Sequence, residues 1–184
     1  VLNWIEDANS KGIRVHIWMQ VFYSGGSWVN PVSGGSVNQA YFNSVIDEAK
    51  YYAGLRGVSG VHFDYLRYPG NAYKTKGATN AISTFVKKAC TSLHASHPKV
   101  ILSAAIMPER SNSAYYYGQD YSVISKYMDV VIPMIYKGNY HKDSAWVKST
   151  TQWYKTNSKG AKVWGGLQAY NSDADVTKLS LSAL

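Results

Sequence analysis

Residues 57–70, GVSGVHFDYLRYPG, carry an apolar run that ends on an aspartate. Strand alternation sets His62 and Asp64 on one side and Phe63 on the other. Asp64 serves no core packing there. It moves protons at a rim, caps the following loop or pairs with Arg67, because aspartate is rarely buried unpaired. A second run, VILSAAIMPER at 100–110, gives Ser103, Ala105, Met107 and Glu109 one parity. Two carboxylates on neighbouring strand ends are the equipment of glycosidic cleavage, one donating a proton and the other acting as base or nucleophile. Pro108 interrupts the alternation, so the other reading puts Glu109 in a loop, paired with Arg110.

Further candidates stand at the ends of other apolar runs. DVVIPMIYKG, 129–138, gives Met134 and Tyr136 one parity, and Tyr136 either bonds a sugar or packs with a wet tip. KVWGGLQAY, 162–170, offers Gln168, and IRVHIWMQVFY, 13–23, offers His16, Trp18 and Gln20 on one side. Tyr65, Tyr68, Tyr73, Tyr115, Tyr116, Tyr117, Tyr140 and Trp28 all follow strands, where flat rings stack on sugar faces or grip peptides. Neither His16 nor His62 has metal-type spacing, and no cofactor fingerprint follows any strand, so neither metal nor cofactor is expected.

These residues need a scaffold that brings strand ends together. Helical periodicity covers 1–10, 36–55, 78–95, 143–156 and, from 173, a final helix; Ser36 is the expected cap of the second. Apolar strands lie between, at 13–23, 58–65, 99–107, 129–136 and 161–169, and 24–35 reads as a Gly/Ser/Pro loop. Strands separated by helices pair in parallel, because a crossover helix returns the chain to restart in the same direction. Gln20, Asp64, Glu109, Tyr136 and Gln168 all sit at C-terminal strand ends, whereas Asp129 opens its strand and reads as structural. A single catalytic rim favours a (β/α)8 TIM barrel over an open doubly wound sheet. Such a barrel has eight strands in about 250 residues, and about five parallel strands are visible here. The expectation is one domain over 1–184, a partial barrel and a segment of a longer chain, completed by a partner copy or by further chain segments that cover its edges.

Composition narrows the class. Low charge with Tyr 16, Trp 6 and Phe 4 excludes disorder. No apolar run reaches the roughly 18–20 residues of a membrane span, and residues 1–11 read as an amphipathic segment and not a leader. Cys90 stands alone, which excludes an intrachain disulfide, and it reads as a core thiol and not a nucleophile. The net charge of +8 serves solubility or attraction to an anionic cell surface or polysaccharide, and the scattered lysines and the absence of a recognisable motif argue against nucleic acid.

At the quoted runs the chain resembles a group of barrel glycosidases related to chitinase-type enzymes. GVSGVHFDYLRYPG is similar to their fourth strand with its Asp-aromatic-x-x-Tyr-Pro ending, VILSAAIMP to their fifth, VIPMIYKG to their sixth and VWGGLQAYN to their seventh. The ordered match covers 13–171. It also resembles surface proteins or viral lysins of pseudomurein-walled methanogens. One departure matters: where chitinase-type enzymes carry Asp-x-Asp-x-Glu, this chain has His62, Asp64 and Leu66 or Arg67. The resemblance then implies either hydrolysis led by Asp64 with Glu109 or a barrel that binds glycan without cleaving it.

The expected protein is a glycoside hydrolase at the cell surface or outside the cell, acting on a cell-wall or extracellular polysaccharide. Asp64 donates the proton and Glu109 partners it. Trp18, Gln20, Arg67, Tyr136 and Gln168 orient the sugar, and Tyr65, Tyr68 and Tyr117 line the cleft. The alternative is a glycan-binding or adhesion module on the same scaffold. An enzyme on peptide cross-links is disfavoured, since Cys90 has no evident catalytic His and no Ser elbow exists.

Overall fold

In the computed structural model, residues 2–180 and Ala183 are described. Five parallel strands run side by side in chain order: β1 (Val15–Gln20), β2 (Val58–Asp64), β3 (Ile101–Ile106), β4 (Val130–Pro133) and β5 (Lys162–Val163). Helices alternate with them: α1 (Leu2–Ser10), α2 (Gln39–Ala53), α3 (Ala78–Ser96), α4 (Ser113–Tyr117), α5 (Tyr121–Tyr127) and α6 (Ser144–Asn157). Neighbours in sequence are neighbours in the sheet, as in an arc of a (β/α)8 barrel.

Alternation divides the strand residues between two faces. Met19, Val61, Phe63, Leu102, Ala104, Ile106 and Val131 join the main core with α2, α3 and α5. At its centre the Phe85 ring lies 5.3 Å from Phe22, 5.4 Å from Phe42 and 6.0 Å from Phe63, all edge-on. Each buried Phe contributes about 1.5–3 kcal/mol. The other parity holds His16, Trp18, Gln20, His62, Asp64 and Ser103. This face is open enough to leave Trp18 56% and Trp164 48% exposed.

Gly60 lies on this second face, between β1 and β3. A Cβ there would stand 2.4 Å from His16 Nδ1 and 2.7 Å from the Ile101 carbonyl oxygen, so the close strand approach requires glycine. Asp129 opens β4 at the opposite rim and is structural: its Oδ2 accepts from the Leu102 amide at 2.7 Å and lies 3.1 Å from His94 Nε2. Cys90 is buried in the core.

Several expected elements change. The loop at 24–35 forms two hairpins, Tyr23–Ser24 with Ser27–Trp28 and Val32–Ser33 with Ser36–Val37. Each turns on Ser-Gly-Gly-Ser with both glycines at positive φ, the backbone that tight hairpin turns demand. Ser36 therefore belongs to a strand, and α2 starts later, with the Asn38 side chain accepting from the Tyr41 amide. The fifth strand shortens to two residues, with a single further bridge from Met134 to Gly166, because Gly165 and Gly166 weaken the ladder. The final helix expected from 173 is overturned: Tyr170–Ser172 pairs with Asp175–Lys178 as an antiparallel hairpin. Asn171, Ser172 and Asp173 favour a turn there, and Val176 and Thr177 favour strand. Residues 181, 182 and 184 of that expected helix lie outside the described residues.

Candidate active site

Asp64 ends β2 directly opposite Gln20 of β1. Both its oxygens accept: Oδ2 from Trp18 Nε1 at 3.0 Å, and Oδ1 from the Tyr65 amide at 2.7 Å. Tyr65 adopts a left-handed backbone, φ 51°, which turns the chain sharply above the carboxylate. Leu66 is then driven into the core and Arg67 back over the cleft. Gln20 is half-buried, and its side chain makes no hydrogen bond among the described residues.

Arg67 is half-buried between rings. Its guanidinium carbon lies 4.8 Å from the centre of Trp28, 5.7 Å from Tyr65 and 5.6 Å from Tyr117. Burial lowers its pKa from the usual guanidinium value, while the Asp64 charge acts the other way. It does not pair with Asp64: the described ion pairs do not include Arg67.

Glu109 belongs to the loop after β3. Its Oε1 accepts from Tyr140 at 2.6 Å and from Tyr117 at 3.2 Å, and its Oε2 is buried without a partner. Arg110 does not pair with it; the guanidinium donates to Ser149 Oγ and Thr150 Oγ1 instead. Burial, and then Glu109, push the Tyr117 hydroxyl up to about 12. Burial, and then the hydrogen bond to Glu109, raise the pKa of Tyr140 further. Both therefore remain protonated donors. Arg67 lies within electrostatic reach of Asp64 on one side and, on the other, of Tyr117 and Tyr140, the two tyrosines that donate to Glu109.

Other groups build the frame. His62 Nδ1 is 2.9 Å from Ser103 Oγ on the inward face. Tyr136 is half-buried near Asp64, and burial, followed by that charge, raises the pKa of its hydroxyl. Two residues not singled out from the sequence, Gln119 and Tyr154, hold the rim loops together with Tyr140, which was singled out. Buried Gln119 accepts from the Met107 amide at 2.9 Å and donates to the Leu66 carbonyl at 3.2 Å, tying the β2 and β3 rims together. Tyr154 donates to the Met107 carbonyl and accepts from the Arg110 amide, which fixes the backbone on either side of Glu109. Tyr140 follows the Lys-Gly-Asn turn after β4, and its place in a rim loop was its signal.

Two expected ligand residues have their polar groups engaged within the chain. Gln168 is 3% exposed, and its amide is spent on Asn139, to which it donates at 3.0 Å and from whose backbone N–H it accepts at 3.2 Å. Tyr68 is 5% exposed and donates to Asn30 Oδ1 at 2.8 Å, so its hydroxyl braces the segment between the two hairpins, while the residue borders the hollow beside Arg67. Tyr65 stacks on Tyr23 at 4.8 Å, closing one side of the mouth. Among the described residues no three His, Cys, Asp or Glu side chains gather as a metal would require. No helix of the described residues is long and apolar enough to cross a membrane.

A parallel arc with a carboxylate, an arginine and tyrosines at the C-terminal rim of its strands is the arrangement from which barrel enzymes build their sites. The chain belongs to the DUF4015 family, described as "Putative glycosyl hydrolase domain", which it matches over residues 9–168. Its fold is similar to that of the spore cortex-lytic enzyme SleL of Bacillus megaterium, at 18% identity and a TM-score of 0.67, covering 89% of this chain and 38% of that one. It is similar to a chitinase from Chromobacterium violaceum at 17% identity and 0.70, covering 92% and 54% respectively. It is also similar to the PgaB (BpsB) glycoside hydrolase domain from Bordetella bronchiseptica at 12% and 0.68, covering 94% and 65%. The chain thus spans 38% to 65% of these structures' lengths. No curated protein sequence matches it.

Proposed function

We propose that this domain hydrolyses a cell-wall or extracellular polysaccharide outside the cell, with Asp64 as the central catalytic carboxylate. The carrying observation is the bond from Trp18 to Asp64, which holds the carboxylate on the open inward face beside Gln20, Arg67 and Tyr136. Asp64 transfers the proton at the glycosidic oxygen, and Glu109, held by its two tyrosines, is the partner carboxylate. Trp18, Gln20, Tyr65, Tyr117 and Tyr136 position the sugar through ring faces and hydroxyls. The 184 residues form one domain's share of a larger barrel, whose further strands cover the exposed Trp164 and leave Trp18 open to the cleft.

The test is release of reducing ends from isolated wall glycan. Asp64→Asn is expected to lower turnover at least about a thousandfold, and Glu109→Gln by about a hundredfold or more, within the range of acid–base contributions. Normal turnover by Asp64→Asn overturns the assignment.

A second reading, a glycan-binding module without hydrolysis, is favoured by one observation. Glu109 has one oxygen occupied by two hydroxyls and the other buried, which leaves Asp64 as the accessible carboxylate of the pair. No reducing ends from the wild type, with polysaccharide binding unaltered in Asp64→Asn, supports that reading.

A further inference from the structure

Arg67 stands in the cleft as a cation without an anion. Its Nη1 donates to the Tyr68 carbonyl at 3.1 Å, and its Nε is buried with no partner. Both nearby carboxylates are occupied: Asp64 by Trp18 and the Tyr65 amide, Glu109 by Tyr117 and Tyr140. The rings of Trp28, Tyr65 and Tyr117 attract the positive charge but offer its N–H groups no acceptor. A buried donor left unpaired is costly, and a polar group in that state calls for an explanation beyond packing.

A cavity of about 160 Å³ opens beside the guanidinium, lined among others by Trp28, Asn30, Asn71 and Thr75. Water takes about 30 Å³ per molecule, so the space admits a charged substituent of a sugar with a few waters. Asn30 Oδ1 already accepts from Tyr68 and from the Val32 amide, which leaves its NH₂ group as the free end. Donors gather around this hollow, and none of its lining side chains is acidic.

We propose that Arg67 binds a carboxylate carried by the glycan, so that the cleft selects an acidic polysaccharide over its neutral counterpart. The planar guanidinium fork matches a carboxylate in two parallel hydrogen bonds, and aromatic walls hold the fork in place. The net charge of +8 draws an acidic polymer toward the domain. The carboxylate has two chemical sources, a uronic acid ring or an ether-linked lactyl group. This inference rests on the glycan reading above.

The experiment measures binding by calorimetry with two matched pairs of probes. One pair is a hyaluronan hexasaccharide and its carboxyl-reduced form. The other is a murein glycan tetrasaccharide, bearing lactyl groups, and its carboxyl-reduced form. At least one acidic probe is expected to bind about tenfold or more tightly than its reduced twin, the scale of a charged hydrogen bond. The responding pair names the source. Arg67→Gln is expected to bring that ratio to about one, and Arg67→Lys to retain part of it. In the wild type the Arg67 Nε–H resonance shifts with the acidic probe and not with its reduced twin, so the inference stays testable if Arg67→Gln does not fold. A wild-type ratio near one, or a ratio unchanged in Arg67→Gln, overturns it. If none of the four probes binds and wall glycan releases no reducing ends, the glycan reading itself falls, and this inference with it.

Discussion

Trp18 of β1 donates its indole N–H to Asp64 of β2 at 3.0 Å, although Trp18 is paired in register with His62. The bond therefore runs diagonally across two strands on the inward face. An indole supplies one rigid donor and no acceptor, so it orients the carboxylate without taking a proton from it. Its ring remains more than half exposed beside the carboxylate, in position to carry a sugar face.

Trp18→Phe keeps a ring and removes that donor. A hydrogen bond to a charged group is worth about 1.5–3 kcal/mol, so turnover on wall glycan should fall by roughly 10- to 100-fold. Because Trp18 lies outside the core, the melting temperature should move by only a few degrees. Kinetics and a thermal melt on the same sample check both halves.

Tyr140→Phe removes the shorter of the two hydroxyl bonds to Glu109. The Glu109 side chain should become more mobile, and turnover should drop by about tenfold, one hydrogen bond's share. The ring still stacks on Trp146 at 5.3 Å, so the loop should stay folded. Loss of folding, read by circular dichroism, contradicts this assignment.

His62 provides a pH signature. Burial holds its pKa below 6.5, with the Asp64 charge acting the other way and His16 adding to the lowering. Below pH 6.5 the unfolded chain then binds more protons than the folded one, so the stability present above that pH is lost as the pH falls. Thermal midpoints between pH 7 and 5 should decline, and less steeply in His62→Gln. Asp64→Asn removes the opposing charge, so the His62 ring, followed by NMR, should titrate at still lower pH.

Gly60→Ala tests the strand approach beneath the site. The new Cβ meets the Ile101 carbonyl and the His16 ring well inside contact distance. Overpacking of this kind costs about 1–3 kcal/mol, visible as a lower urea midpoint. An unchanged midpoint would mean that the sheet has slack at β1, β2 and β3.

The strand ladder and its two faces were legible in the chain before any folding was considered. A period of two placed Asp64 inward and Phe63 in the core, and the alternation of strands with helices required parallel pairing. Both signals are local, and every residue of a run repeats them. Membership of a glycosidase-type barrel was legible because four rim motifs occur in order along the chain.

Which rim side chains face one another depends on how the loops pack. Gln168 and Tyr68 carry the right chemistry at the right ends of elements, yet Asn139 and Asn30, distant in the chain, consume their polar groups. Glu109 owes its setting to Tyr117 and Tyr140 from two different rim segments, and Arg67 owes its lack of an anionic partner to donors that reach Asp64 and Glu109 first. The terminal hairpin replaces a helix partly because Asn139 grips the Asp173 carboxylate and amide. A hydrogen bond between side chains remote in sequence leaves no periodicity to read, since its geometry exists only once the loops are packed.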